Sequence, residues 1–333
     1  MINVAVIGYG YWGPRVTRNF QTSSDMHLSA ICDQRPEALR IASKDYPEVT
    51  LLADPREALT SPDIDAVAIV TPVWTHFDFA KLALQNGKHI WVEKPFTLTS
   101  SQATELIELA EQKHLTIMVD HTFLFTGAVK KIRELIDDQT LGNLYYYDST
   151  RVNLGLFQHD VNVLWDLAPH DLSIMDFLIR EEPEAIAATG QNHLNGLEDM
   201  AYMTIFYPHK LIAHFSVNWL SPVKVRTTLV GGEKKMLVWN DLEADEKIRV
   251  YDKGVQISGS AGVYDLLVGY RSGDMWAPRV DQTEALKSEV SCFADCVDHG
   301  TKPINDGAAG YRVVRLLEAA TQSLKNRGML VQL

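Results

Sequence analysis

A chain of 333 residues with 46% hydrophobic content is long enough to bury a core in each of two domains. Its formal net charge of −12 argues against a nucleic-acid partner, because phosphate binding rests on cationic patches. Cys32, Cys292 and Cys296 are too few and too unevenly placed for a disulfide framework or a zinc knuckle.

The first apolar run, Val4 to Ile7, follows the N-terminus without a basic segment, an apolar h-region or a cleavage site, so a cytoplasmic location is expected. No apolar stretch approaches the roughly 20 residues that span a bilayer, and no membrane partner is expected. Gly8-x-Gly10-x-x-Gly13 comes directly after that run and before a helical pattern at Arg15 to Gln21, the place a dinucleotide fingerprint occupies. The first glycine makes the strand-to-helix turn, the second admits a pyrophosphate to the backbone, and the third lets helix and strand pack closely. The pyrophosphate then rests on unpaired amides at the positive end of the helix.

The next run, Leu28 to Cys32, ends at Asp33, whose carboxylate accepts from a ribose 2′-hydroxyl and repels a 2′-phosphate; NAD is therefore favoured. Arg35, a guanidinium two residues on, suits a phosphate and leaves NADP open. Further runs at Ala66 to Val70, His89 to Val92 and Thr116 to Val119 alternate with helical patterns at Pro36 to Asp45, Thr75 to Asn86 and Ser100 to Lys113. Continuous apolar strands separated by helices predict a doubly wound parallel sheet covered on both faces, an α/β Rossmann domain over residues 1–120. Ser100 is read as an N-cap, with Pro95 holding the segment before it extended.

Residues 121–333 form the expected second domain. Helical patterns at Ala128 to Ile136 and Val163 to Leu178 flank a run at Leu144 to Val152. Strands follow at Ala185 to Gln191, Met200 to Tyr207, Leu211 to Trp219, Lys224 to Val230, Lys235 to Trp239 and Lys247 to Tyr251, with turn signals at Pro208 to Lys210 and Gly231 to Glu233. A long loop at Gly254 to Pro278 and helices near Thr283 to His299 and Gly307 to Asn326 complete an α+β domain with a large, mostly antiparallel sheet. Few helices are available to cover that sheet, so an open face is expected to build a homo-oligomer.

Ligands on an open parallel sheet lie beyond the carboxyl ends of its strands. A cofactor there meets Gly8, Gly10, Tyr11, Trp12 and Gly13 of the loop, Asp33 and Arg35, then Thr71, Pro72 and His76, then Glu93 and Lys94; these are the candidate cofactor-binding residues. By spacing alone His76, His121 and His159 are lone histidines, for which a structural or surface role is usual. Lys94 at a strand end stands where the nicotinamide half reaches, although a solvated lysine fits the same position. Asp166 and His170 are i and i+4 on one face of a helix, apart from the apolar stripe of Leu164, Leu167, Ile174, Met175 and Leu178. A carboxylate that orients an imidazole makes a general base, and Pro169 is read as a first-turn proline of a helix starting at a site. A surface Asp and His pair has the same spacing. Cys292 and Cys296 with His299 have part of a metal-site spacing, but cysteine is commonly a small buried apolar residue, and no metal is expected.

Together, Gly8-x-Gly10-x-x-Gly13, Glu93-Lys94-Pro95 and Asp166-x-x-x-His170 resemble the glucose–fructose oxidoreductase, inositol dehydrogenase and rhizopine catabolism (Gfo/Idh/MocA) family over almost the whole chain. The resemblance implies a Rossmann domain followed by an open-faced sheet that drives assembly as a dimer or tetramer. It also implies that Lys94, Asp166 and His170 act on a sugar or cyclitol hydroxyl. Leu164 to Ile174 and Trp219 to Arg226 are similar to the branch acting on nucleotide-linked sugars, including UDP-N-acetylglucosamine 3-dehydrogenases and their uronate counterparts, which serve polysaccharide or lipid A synthesis. The implied reaction is NAD-dependent oxidation at C3 to a 3-keto sugar. Its alternatives are reduction of a keto sugar nucleotide, oxidation of a free sugar or inositol, and a dinucleotide sensor without chemistry. A substrate diphosphate needs cations, for which Arg151, Lys224, Arg226 and Arg279 are the candidates.

Overall fold

Continuous apolar sequence makes β1 (Ile2–Ile7) a strand buried on both faces from Val4 onward. The computed structural model describes residues 1–155, 157, 160–194, 196–258 and 267–333. His159 and residues 259–266 of the expected loop lie outside the described residues. After β1 come α1 (Gly13–Gln21), β2 (Met26–Cys32), α2 (Pro36–Asp45), β3 (Thr50–Leu52), α3 (Pro55–Thr60), β4 (Ala66–Ile69), α4 (His76–Gln85), β5 (His89–Val92), α5 (Ser100–Lys113) and β6 (Ile117–Val119). The six strands are parallel in the order β3-β2-β1-β4-β5-β6. The order reverses at β1 and β4, so the connections leaving their carboxyl ends diverge and open a crevice.

Two elements here are absent from the sequence reading. Three residues are too few for β3 to show periodicity, and α3 is announced only by the cap of Asp54, whose carboxylate accepts from Arg56 N at 2.9 Å. The N-cap of α5 is Thr99 rather than Ser100; its hydroxyl accepts from Gln102 N at 3.2 Å while its backbone stays extended.

The chain continues through α6 (Gly127–Asp137), β7 (Leu144–Leu154), α7 (Val163–Leu178), β8 (Ala185–Gln191), β9 (Met200–Phe206), β10 (Ile212–Asn218), β11 (Leu220–Gly232), β12 (Met236–Asn240), β13 (Ile248–Tyr251), β14 (Gly254–Ser258), β15 (Leu267–Arg271) and β16 (Met275–Trp276). It ends with α8 (Ala285–His299), α9 (Gly307–Lys325) and β17 (Val331–Gln332). Nine strands form one sheet in the order β16-β13-β12-β11-β7-β10-β9-β8-β17, antiparallel except where β10 lies parallel to β7. β14 and β15 make a separate hairpin within the segment expected to be loop. Alternation divides the large sheet into two faces. Ala213, Phe215 and Val217 of β10 are buried with Tyr147 on the side that α7 packs against, whereas Tyr202, Phe206, Ile212 and Leu229 are exposed. Pro169 is interior to α7, not in its first turn: the helix starts six residues earlier, where the Asn162 side chain accepts from Trp165 N at 3.2 Å. No helix among the described residues is long and apolar enough to cross a membrane.

The compact units are not the two contiguous segments 1–120 and 121–333. One comprises Met1–Phe125 with Thr283–Glu318, and the other Thr126–Gln282 with Ala319–Leu333. The chain returns to the first unit because α8 supplies part of its core: Phe293 meets Phe20 edge-on at 6.5 Å, and Phe20 meets Trp91 at 6.2 Å.

Candidate active site

Two glycines of the loop after β1, Gly8 and Gly13, are required by close backbone neighbours. Gly8 has φ of +103°, and a Cβ on it would stand 2.3 Å from Val70 O; a Cβ on Gly13 would stand 2.4 Å from Gly8 O. Gly10 differs, since the nearest atom to its Cβ position is Arg35 Nη2 at 3.8 Å. Its α-carbon therefore faces open space. The N-cap of α1, Trp12, has no side-chain cap bond and no acid occupies the first turn; Pro14 carries no N–H, and the N–H groups of Arg15 and Val16 donate to Trp12 O at 3.0 and 3.3 Å. The adjoining cleft, roughly 590 Å³, is lined by Gly8, Gly10, Asp33, Gln34, Arg35, Pro55, Thr71, Pro72 and Trp74 among others, all belonging to the first unit. Its size and lining suit a nucleotide.

Asp33 directly follows β2 and is a hydrogen-bonding hub in the wall of the cleft. Its Oδ2 accepts from Tyr9 N at 2.8 Å and Arg35 Nη2 at 2.9 Å, and its Oδ1 from Arg35 N at 2.8 Å and Nε at 3.0 Å. Burial works to raise this carboxyl, but the Arg35 and backbone donors outweigh it and hold the group below the usual range. Tyr11 is exposed, with the Arg15 guanidinium 5.0 Å from its ring centre. The same guanidinium is 5.2 Å from the Trp12 ring centre, and the Trp12 indole donates to Asp120 Oδ2 at 3.0 Å.

His76, counted among the cofactor contacts, is instead an internal strut. It is fully buried, with Nδ1 2.9 Å from Pro95 O and Nε2 2.8 Å from Thr71 O. A neutral imidazole has one N–H and donates to one of these carbonyls in each tautomer. Burial lowers its proton affinity and keeps it neutral. The ring thus braces the segment after β4 against the segment after β5, which carries Lys94.

Glu93 and Lys94 leave the end of β5 over a carboxyl cluster that no spacing in the sequence announces. Glu93 Oε2 accepts from Lys94 N at 3.0 Å, and its carboxyl faces Asp120 at the end of β6. Asp120 also takes the Thr122 hydroxyl and faces Glu289 of α8, whose Oε1 accepts from Asn305 Nδ2 at 2.8 Å. Burial, then the Asp120 charge, pushes both Glu93 and Glu289 well above the usual carboxyl range. Both carboxyls are therefore harder to ionise than a surface carboxyl. The same strand end carries His121, buried and with neither ring nitrogen hydrogen-bonded among the described residues. Burial and then the Lys94 charge push its imidazole down to about 3. Only the triplet at 93–95 pointed here in the sequence; Asp120, His121, Glu289 and Asn305 meet through tertiary structure.

In the second unit, Asp166 and His170 lie one turn apart on the same side of α7, and both are half-buried. Asp166 Oδ2 accepts from the Trp219 indole at 3.0 Å, so the carboxylate is held from the end of β10. Of the four candidate cations, Arg151 is withdrawn from any substrate: it is buried and bonded twice to Asp171, Nε to Oδ2 at 2.6 Å and Nη2 to Oδ1 at 3.0 Å. Arg226 pairs with Asp241 at 3.3 Å, and burial followed by the Arg151 charge lowers its proton affinity. Lys224 and Arg279 are exposed. Cys292 and Cys296 face each other at 4.0 Å, and burial, then this proximity, pushes the Cys292 thiol up to about 12.

The oxidoreductase family with an NAD-binding Rossmann fold (Gfo/Idh/MocA) matches residues 2–121, and the Gfo/Idh/MocA C-terminal domain matches residues 129–238. The chain is 27% identical over 323 residues to a UDP-N-acetylglucosamine 3-dehydrogenase from Acidithiobacillus ferrooxidans, covering 94% of each. It is 25% identical over 346 residues to the NAD-dependent scyllo-inositol 2-dehydrogenase of Bacillus subtilis, covering 100% of this chain and 96% of that one. Among solved structures, levoglucosan dehydrogenase in complex with NADH and levoglucosan shares the fold at a TM-score of 0.84 and 19% identity, over 99% of both chains.

Proposed function

This chain belongs to the Gfo/Idh/MocA oxidoreductase family, and on that premise we propose that it oxidises a ring hydroxyl of a nucleotide-linked sugar, at C3, with NAD+ as acceptor. The first unit is its NAD-binding Rossmann domain: the backbone around Gly10 and the start of α1 receive the pyrophosphate, and Asp33 the adenosine ribose. Nicotinamide, when bound, supplies the hydride acceptor.

The protein's own share is charge and proton placement. Lys94 hydrogen-bonds the hydroxyl oxygen and stabilises the negative charge that develops there. A ring nitrogen of His170 takes the hydroxyl proton, with Asp166, itself held by the Trp219 indole, setting the imidazole's orientation. Glu93 anchors the Lys94 backbone, and His76 braces the segment that carries it. Lys224 and Arg279 are the proposed contacts of a substrate diphosphate, because Arg151 and Arg226 already have carboxylate partners. The exposed face of the large sheet is the proposed contact with a second copy of the chain.

One observation carries the reading: Gly10 is open to a cleft at the strand-order reversal, and Lys94 stands at the end of β5, whose neighbour β4 borders that reversal. The nucleotide-sugar substrate is supported by the relative from Acidithiobacillus ferrooxidans; the inositol dehydrogenase match supports a cyclitol as the second reading. The test is to supply NAD+ with UDP-sugars, free hexoses and inositols in turn, with a carbonyl trap, and follow NADH by absorbance. NADH is expected only with UDP-N-acetylglucosamine or its uronate. Lys94→Ala is expected to remove turnover by at least about a hundredfold while leaving NADH binding near the wild-type level. Turnover with inositol alone moves the enzyme to the second reading, and an active Lys94→Ala variant removes the lysine from the mechanism.

A further inference from the structure

Asp166 and His170, the carboxylate and imidazole of the second unit, are separated by Pro169 in the interior of α7. Proline has no N–H, so the helical rung from residue 169 to Trp165 O is missing, and the ring crowds that carbonyl. The helix backbone alone therefore fixes the two side chains against each other less firmly than an unbroken ladder would.

Each side of the break is tied to the large sheet instead. Before it, Asp166 Oδ2 accepts from the indole of Trp219, a residue only 1% exposed. Beyond it, Asp171, the residue after His170, takes Arg151 of β7 in a fork, Nε to Oδ2 at 2.6 Å and Nη2 to Oδ1 at 3.0 Å. The two side chains of this pair are 4% and 3% exposed. An ion pair at that depth adds little net stability over apolar side chains of the same volume. What the planar fork does supply is a fixed orientation of its carboxylate. Arg226 of β11 stands directly opposite Arg151, with Asp241 as its own partner at 3.3 Å. Removing Asp171 alone would thus leave two like charges opposed across the strands.

We propose that Arg151 and Asp171 are positioning residues for His170. The pair holds the turn after Pro169 to β7 as Trp219 holds the turn before it, and the sheet thereby sets the spacing of the acid and the base. The inference rests on the reading of His170 as proton acceptor given above and adds two residues to it.

Two variants of the full chain test the proposal. Arg151→Lys keeps the charge and loses the fork. Arg151→Met combined with Asp171→Leu removes both charges together, so neither is left buried and unpaired. The melting temperature of each checks that the fold is intact. In both, kcat for the sugar is expected to fall about ten- to a hundredfold, while the sugar KM and the NADH dissociation constant stay within about threefold of wild type. Crystal structures of wild type and Arg151→Lys give a readout without any substrate: His170 is expected to shift against Asp166 by about 0.5 Å or more, with the bond from Trp219 to Asp166 kept. A wild-type kcat in either folded variant, or an unmoved His170, overturns the proposal. So does NADH binding that is lost in step with kcat, which marks a general structural role. A wild-type chain that oxidises no sugar overturns the dehydrogenase reading instead, and the position of His170 then decides the proposal by itself.

Discussion

Gly10→Ala and Gly13→Ala differ by one methyl at positions three residues apart, and the structure assigns them opposite phenotypes. Neither glycine has a positive φ, so alanine is not excluded by backbone conformation at either. At Gly13 the new Cβ stands 2.4 Å from Gly8 O, inside the 3.0 Å that real Cβ contacts keep, and the atom in the way is backbone. Either the first turn of α1 or the Gly8 carbonyl has to move by about 0.6 Å or more, an overpacking that costs roughly 1–3 kcal/mol. At Gly10 nothing lies within 3.8 Å, so the fold accepts the methyl. Reduced freedom of the unfolded chain then contributes roughly 0.4–1 kcal/mol of stability.

The methyl at Gly10 does, however, fill the space through which a pyrophosphate reaches the backbone. A loss of roughly 1.4–2.8 kcal/mol there raises the NADH dissociation constant about ten- to a hundredfold. Urea denaturation and NADH fluorescence titration on the same preparations separate the two effects. Gly10→Ala is expected to be at least as stable as wild type and deficient in binding; Gly13→Ala is expected to be less stable. Wild-type NADH affinity in Gly10→Ala, or a stability loss as large as that of Gly13→Ala, would refute the assignment of separate roles.

Two further outcomes are expected. Burial, then the Asp120 charge, raises the Glu289 carboxyl, so the folded chain keeps a proton that the unfolded chain gives up above about pH 4.3. The unfolded state then binds fewer protons, and this group makes stability fall as pH rises. Glu289→Gln keeps the oxygen that accepts from Asn305 and removes the titration, so the melting temperature of the variant minus that of wild type should be more positive at pH 8 than at pH 5. A difference that does not change with pH would show that the acid is not held protonated. For the open sheet face, light scattering should return twice the chain mass or more, and Ile212→Glu, placed among exposed Phe206 and Tyr202, should lower it; a single-chain mass for the wild type would remove the assembly proposal.

The sequence alone determined most of the secondary structure and both sheet types, because buried parallel strands are continuously apolar and half-buried antiparallel ones alternate. It also located the glycine loop, Asp33, Lys94 and the Asp166 and His170 pair, since each belongs to a local pattern whose spacing is itself the signal. β3 and α3 escaped because three and six residues are too short to show a period. What joins residues distant in the chain was decided by tertiary structure. Nothing in the spacing of Glu93, Asp120 and Glu289 shows that α8 folds back to bring the third acid to the other two. Two histidines that look equally solitary in sequence, His76 and His121, become a doubly bonded strut and a buried ring without partners among the described residues. Arg151 reads as a free cation until Asp171, on a helix facing its strand, takes its Nε and Nη2. Local pattern reports which way a side chain faces along its own element; charge, protonation and availability depend on what the rest of the chain places against it.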